Sequence, residues 1–267
     1  MSFLHILLVA IIQGITEFLP VSSSGHLILL PNLTGLQDQG LALDVAVHVG
    51  TLGAVVLFFW QDVKLAILGM PHALRGHRDT QGSQLAFLLI IATIPVIIFG
   101  LVLSVTGLSE AMRSIKVIGW TMLGFGLILW ATDKYGTMDR SASDWTLRDA
   151  LFMGLAQAIA LIPGTSRSGI VITAARGLGF NRSDAARLAM LMSIPTILAS
   201  GVLLGLEVIG EADMQTARDG AIAAVISFFA ALFALGLMMR LLKSVSFSPY
   251  VLYRVLLGIT LLSIAYS

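Results

Sequence analysis

Apolar residues in this chain run in long, almost unbroken stretches, and the polar residues are gathered into a few short places between them. Six of the stretches are about 20 residues long, which lets a helix rising about 1.5 Å per residue cross a hydrocarbon core about 30 Å thick. They are Leu41 to Trp60, Leu85 to Thr106, Ile115 to Thr132, Ala185 to Leu206, Ala221 to Arg240 and Tyr250 to Tyr266. Two further apolar segments are too short: Phe3 to Leu19 ends at Pro20, and Ala150 to Ile162 ends at Pro163. Each is followed by a Ser/Gly-rich turn and a second short apolar piece, Leu27 to Leu30 in one case and Ile170 to Ala175 in the other. Backbone groups freed by a proline or a turn at membrane depth are tolerated only where protein or a wet cavity surrounds them. The pattern therefore predicts an all-α polytopic membrane protein with six transmembrane helices and two re-entrant helical hairpins, each entering and leaving by the same face.

The two hairpins look like copies of each other. Gln13 and Gly25 are twelve residues apart, as are Gln157 and Gly169, and the intervening stretches PVSSSG (Pro20 to Gly25) and PGTSRSG (Pro163 to Gly169) correspond. The offset is 144 residues, and Thr51 and Thr196 in the spans that follow nearly keep it. One integral membrane domain, 1–267, then contains two repeat halves at about 1–132 and 149–267, each a hairpin plus three spans. An odd number of crossings inverts the second half relative to the first, an architecture familiar from transporters.

Charge sets the orientation. The segments Gln61 to Gln84, Asp133 to Arg148, Phe180 to Arg187 and Arg240 to Pro249, read as loops, carry ten of the sixteen Lys and Arg. The opposite side carries three: Arg113, Lys116 and Arg218. The positive-inside rule places the first set in the cytoplasm and both termini outside, together with the acidic Glu207 to Asp219 loop. The first hairpin then enters from the periplasm and the second from the cytoplasm, with their tips meeting at mid-depth. Composition agrees: 12% of residues are charged, about half the share of roughly 25% usual in soluble domains. The net charge of +1 and the lack of any basic run argue against a nucleic-acid partner, and the lack of cysteine excludes disulfides and thiolate chemistry. The apolar N-terminal run has no Lys or Arg before it and no cleavage site after it, and reads as mature chain rather than a signal peptide.

Ionisable groups within the membrane are expensive and point to function. Glu17 in the first hairpin and Arg167 in the second are such groups, although a purely structural ion pair would also account for them. Gln13 and Glu17 are four apart and share a helix face. They offer oxygen ligands that suit Mg²⁺ or Ca²⁺ better than zinc. Ser22, Ser23, Ser24 and Gly25 precede the second short piece, where a helix N-terminus presents free N–H groups and its positive dipole end. Capping alone needs only one of those serines. Ser23 and His26, three apart, suit either a hydroxyl nucleophile with an imidazole base or a histidine nucleophile with serine binding phosphate. In the second hairpin Gly164, Thr165, Ser166, Ser168 and Gly169 repeat the design, with the helix expected to begin after Gly169. Arg167 adds a planar donor fork suited to phosphate oxygens. The sum is a phosphate or pyrophosphate site, and the lack of a P-loop or Gly-x-Gly-x-x-Gly argues against a nucleotide. His48 reads as an interhelical hydrogen-bonder, Arg176 and Arg187 as cytoplasmic interface residues, and Asn32 and Asn181 as loop or cap residues. Arg254, within the last span, is assigned no role.

The stretch QGITEFLPVSSSGH, Gln13 to His26, and the stretch PGTSRSG from Pro163 resemble the two signatures of the undecaprenyl-pyrophosphate phosphatases, the bacitracin-resistance family. The resemblance covers essentially the whole chain, including the separation of the two motifs. It places the acidic motif on Gln13 and Glu17, the serine-histidine motif on Ser22, Ser23, Ser24 and His26, and the arginine on Arg167. It implies dephosphorylation of a C55 isoprenoid diphosphate to the monophosphate at the outer face of the bacterial inner membrane, recycling the carrier lipid for cell-wall synthesis. It also implies a divalent cation. The partners so expected are the polyprenyl diphosphate, membrane lipids and a second copy of the chain. The rival reading is a transporter or flippase of phosphate or of the same lipid, since broken helices in inverted repeats are a transporter design. A structural scaffold is a third, and leaves Glu17 and Arg167 without a purpose.

Overall fold

The computed structural model describes residues 1–35, 37–108, 112–208 and 213–267, with the side chains of residues 32, 33 and 206–208 also outside the description. Among the described residues the structure is helical, with no strand and a single isolated bridge between Arg140 and Phe180. In chain order the helices are α1 (Phe3–Thr16), α2 (Ser23–Thr34), α3 (Gly40–Phe58), α4 (Trp60–Leu74), α5 (Gln81–Thr106), α6 (Ile115–Tyr135), α7 (Leu147–Ile159), α8 (Arg167–Gly177), α9 (Arg182–Val208), α10 (Met214–Leu241) and α11 (Ser248–Tyr266). Six of them, α3, α5, α6, α9, α10 and α11, are long and apolar enough to cross a membrane, and they coincide with the six predicted spans.

Local chemistry sets the helix ends. Thr80 and Ser83 form a reciprocal capping box at the start of α5, and Thr146 and Asp149 do the same for α7. Ser114 and Asp213 cap α6 and α10 by accepting from Val117 and Thr216 N–H. The cap at Asp213 brings Arg218 and Asp219 into a helix, so the later part of the acidic loop expected outside forms the start of α10; residues 209–212 lie outside the described residues. A second correction concerns the segment after Trp60. The sequence reads as loop there, yet Val63, Ala66, Gly69 and Ala73 are buried at helical spacing, and α4 lays that stripe against α5. Asn32 falls inside α2 rather than in a loop, whereas Asn181 accepts from Asp184 N–H at the start of α9 as a cap does.

The helices pack through small residues. α3 lies against α10, α6 against α11, α1 against α10 and α5 against α7. At Gly50 an added Cβ would stand 2.1 Å from the Ala224 carbonyl oxygen, so the α3–α10 contact admits no side chain there. Large apolar side chains such as Val105, Trp120 and Phe233 remain exposed on the outside, as a lipid-facing surface requires. Arg176 departs from its expected place at an interface: it is fully buried, its Nε donates to Asp133 at 3.0 Å, and its other nitrogens reach the carbonyls of Asp133, Gly136, Thr137 and Phe180. Arg187 stays half exposed and pairs with Asp62, tying α9 to α4.

Candidate functional site

Both short apolar segments are helix–break–helix units. α1 has 14 residues and α7 has 13, or about 20 Å of helix at about 1.5 Å per residue. After each comes a turn and a second short helix, α2 of 12 residues and α8 of 11. Neither second helix starts where the apolar residues do. α2 begins at Ser23 and α8 at Arg167, because Ser22 and Ser166 are the capping residues and accept from Gly25 and Gly169 N–H at 3.3 and 3.1 Å. Gly25 and Gly169 are therefore inside the first helical turn, not before it. Both caps have φ of 71°, and among the described residues they are the non-glycine positions with positive φ. Such backbone costs about 1–3 kcal/mol at each position and persists where surroundings over-determine it.

The two breaks meet. A Cβ added at Gly25 would stand 3.7 Å from Gly164 Cα, and Ser168 Oγ donates to the Leu19 carbonyl at 3.0 Å. Gly164 itself has φ of +86° and sits 2.2 Å, at the Cβ position, from Thr121 Oγ1, so only glycine fits there. Arg254, buried in α11, joins the breaks from behind. Its guanidinium donates to Pro20 O at 3.2 Å in the first break and to Gly164 O and Thr165 O at 3.1 and 2.9 Å in the second. It also reaches Thr121 O and Met122 O of α6. No carboxylate faces it among these partners; five carbonyl dipoles take the place of a counter-ion. The sequence held one signal for this role, an arginine in the middle of a span.

Glu17, at the C-terminal end of α1, is the hub. Arg167 Nη2 pairs with its Oε1, and its Oε2 accepts from Ser23 Oγ at 2.6 Å and from Gln13 Nε2 at 2.8 Å. His48 Nε2 stands 3.8 Å from the same oxygen and so faces the site, while its Nδ1 bonds the Asp44 carbonyl within α3 at 2.7 Å rather than a neighbouring helix as expected. Glu17, Ser23, His48 and Arg167 line one pocket of about 190 Å³, with Ser22, Ser24 and Ser166 also on its wall. Gln157 and Thr196 close another side, joined by a 3.0 Å hydrogen bond. Gly25, Gly164, Thr165, Ser168 and Gly169 lie behind that wall and shape the breaks.

Ser23 and His26 do not meet. The serine hydroxyl is spent on Glu17, whereas His26 Nδ1 bonds the Ser22 carbonyl at 2.6 Å and its Nε2 faces Tyr253 Oη at 2.6 Å, with the two rings stacked. A carbonyl only accepts, so Nδ1 carries the proton and Nε2 accepts from the tyrosine. Tyr253 was not singled out by its sequence context; its neighbour in space is 227 positions away.

For a divalent cation the site offers the Glu17 carboxylate, the Ser23 hydroxyl and Gln13 Oε1, which is buried with no hydrogen-bond partner. Among the described residues no group of three His, Asp or Glu comes together. This thin oxygen set fits a Mg²⁺-type ion that takes most of its ligands from substrate phosphates.

Comparison with known proteins agrees with the geometry. A family model described as bacitracin resistance protein BacA matches residues 6–260. The chain is 69% identical over 267 residues, all of both chains, to an undecaprenyl-diphosphatase of Jannaschia sp.. It is 67% identical over the same span to one of Ruegeria pomeroyi, and 46% identical to undecaprenyl-diphosphatase 1 of Rhodospirillum rubrum, covering all of this chain and 96% of that one. With a duplicated break, an acid, a hydroxyl and an arginine converging in a helical membrane protein, and with relatives matched end to end, the chain belongs to the bacitracin resistance protein BacA family.

Proposed function

We propose that this protein hydrolyses undecaprenyl diphosphate to undecaprenyl phosphate and inorganic phosphate, the activity for which its relatives are named. One observation carries the chemistry: the Ser23 hydroxyl donates to Glu17 at 2.6 Å while Arg167 holds the carboxylate's other oxygen. A nucleophile within hydrogen-bond reach of its base is the arrangement that activates a serine. Ser23 Oγ attacks the terminal phosphorus, and the bond from that phosphorus to the bridging oxygen breaks. Glu17 takes the hydroxyl proton and passes it to the leaving lipid phosphate. Water then attacks the phosphoserine phosphorus, Glu17 takes a proton from it, and the proton returns to Ser23 Oγ as inorganic phosphate leaves. Arg167 and the first-turn N–H groups of α2 and α8, which lack intrahelical partners by position, hold the phosphate oxygens. His26 works from the other side of α2, positioning Ser22 and thereby Ser23. A divalent cation, when bound, neutralises phosphate charge, and Glu17 and Gln13 are the residues to hold it.

The short lengths of α1, α2, α7 and α8 support reading both units as re-entrant hairpins in inverted repeats. The charge count supports placing both termini outside, and membership of the family supports a bacterial inner membrane placement with the pocket opening to the periplasm. The decisive assay uses purified protein in detergent, without any gradient. Release of inorganic phosphate from undecaprenyl diphosphate, lost in Arg167→Ala and on chelation of divalent ions, is the expected result. Lipid translocation in vesicles without release would overturn it in favour of a flippase.

A further inference from the structure

One buried group on the wall of the polar pocket has no part in the transfer to Ser23. Gln157, in α7, is fully buried and lines the pocket together with Glu17, Ser23 and Arg167. Its neighbour in α9 decides which way its amide faces. Thr196 Oγ1 donates its only proton to the Met192 carbonyl at 3.0 Å. Toward Gln157 that hydroxyl can only accept, so the amide presents Nε2 to it, at 3.0 Å. Oε1 is left as the free end, and among the described residues no group donates to it. A buried acceptor without a donor is costly, and it marks a place where a donor belongs. The first repeat shows why this amide is spare. Gln13, 144 positions earlier, spends its Nε2 on Glu17 at 2.8 Å. Leu161 stands four residues after Gln157, where Glu17 stands after Gln13, so the second amide has no carboxylate to serve and turns to Thr196.

The free end selects its ligand by chemistry. An amide oxygen accepts hydrogen bonds and donates none. Ionised phosphate oxygens are acceptors too, and an apolar chain has no donor; water is the reactant that brings two hydrogens. Resting on the phosphatase reading and its phosphoserine intermediate, we infer that Gln157 is a catalytic residue of the second step, its Oε1 accepting one hydrogen of the attacking water. The other hydrogen goes to Glu17 as the water oxygen bonds to phosphorus. The bond from phosphorus to Ser23 Oγ breaks, and the proton on Glu17 passes to that Oγ. Held at two points, the water keeps a lone pair aimed at phosphorus, a task that side chains perform in other phosphoryl transfers to water. The first step, in which Ser23 attacks, consumes no water and has no use for Gln157.

That separation of steps is the test. Purified protein in detergent is mixed rapidly with undecaprenyl diphosphate labelled at its terminal phosphate. Lipid monophosphate, inorganic phosphate and protein-bound label are followed together. In Gln157→Leu the first equivalent of lipid monophosphate should appear within about twofold of the original rate, while steady phosphate release falls about a hundredfold, the cost of a misplaced reactant. Label should then build up on the protein, and adding Ser23→Ala should abolish it. Thr196→Val keeps the side chain's shape but frees the amide to turn, so the same split at about tenfold is expected. It carries the test alone if Gln157→Leu does not fold. Steady release within about twofold of the original in both variants, or equal slowing of the two products, would overturn the assignment. If the unmodified protein releases neither product, the phosphatase reading itself fails, and the assignment with it.

Discussion

The two breaks share a backbone and differ in side chains, and the difference falls at one structural position. Ser22 and Ser166 have the same φ, cap the same N–H three residues on, and contact the serine two residues on, Ser24 and Ser168, at 3.3 and 3.2 Å. Directly after each cap, the first helical residue is Ser23 in one break and Arg167 in the other. Both side chains reach the same carboxylate, Glu17, one from each side. Glu17 has no acidic counterpart, since Leu161 stands 144 residues on. Two breaks of matching backbone thus present two unlike groups, a hydroxyl and a guanidinium, to one carboxylate. Neither break alone contains a site.

If the first helical residue is where the copies divide their labour, the largest effects belong there. Ser23→Ala and Arg167→Ala should each lower phosphate release by about a thousandfold or more, with the fold intact by thermal melting. A Ser23→Ala enzyme within tenfold of the original would move the nucleophile elsewhere. Next comes the residue that both breaks share. Arg254→Met leaves the Pro20, Gly164 and Thr165 carbonyls of the breaks without this donor, and with each buried orphan costing about 1 kcal/mol or more, a loss of about 3 kcal/mol or more is expected in detergent unfolding. A melting temperature within 1–2 °C of the original (roughly 1 kcal/mol at most) would show that the breaks hold together without it.

His26→Ala should cost less than about tenfold in turnover, because its ring faces Tyr253 and not Ser23, whereas losing a true general base costs roughly 10²–10⁴. A loss in that higher range would restore histidine as the base. The smallest effects test the caps. Ser22→Ala and Ser166→Ala keep the strained φ and lose the capping oxygen, about 1 kcal/mol each; the glycine variants also relieve the strain and should lose less or gain. Equal losses in the two breaks sharpen the correspondence, and unequal ones break it.

The apolar runs gave away the six spans and the two interruptions because lipid imposes a length and forbids loose backbone. The convergence of Glu17 with Arg167 was also legible, since two lone charges of opposite sign in apolar segments have few other partners. What stayed hidden has a common cause. α4 read as loop because Asp62, Lys64 and His72 dilute its apolar stripe to four small or medium residues. The roles of His48, Tyr253 and Arg254 depend on partners in distant helices, and Arg254 binds carbonyls, which every residue has and no sequence pattern marks. The true helix starts were hidden because a serine with positive φ looks, in sequence, like any serine.

The Glu17–Arg167 pair has a further effect: it makes the carboxylate a tethered rival of the substrate. An incoming diphosphate must take Arg167 away from an anion already in place, so apparent affinity is lowered by the fraction of time that the pair stays closed. The same contact holds the carboxylate beside the Ser23 hydroxyl. Replacing Glu17 by Gln should therefore tighten the grip on inorganic phosphate while slowing turnover, which sets product release and reactivity against each other at a single side chain. An enzyme built this way favours letting go over holding on, as suits a catalyst whose product lipid must return to the bilayer.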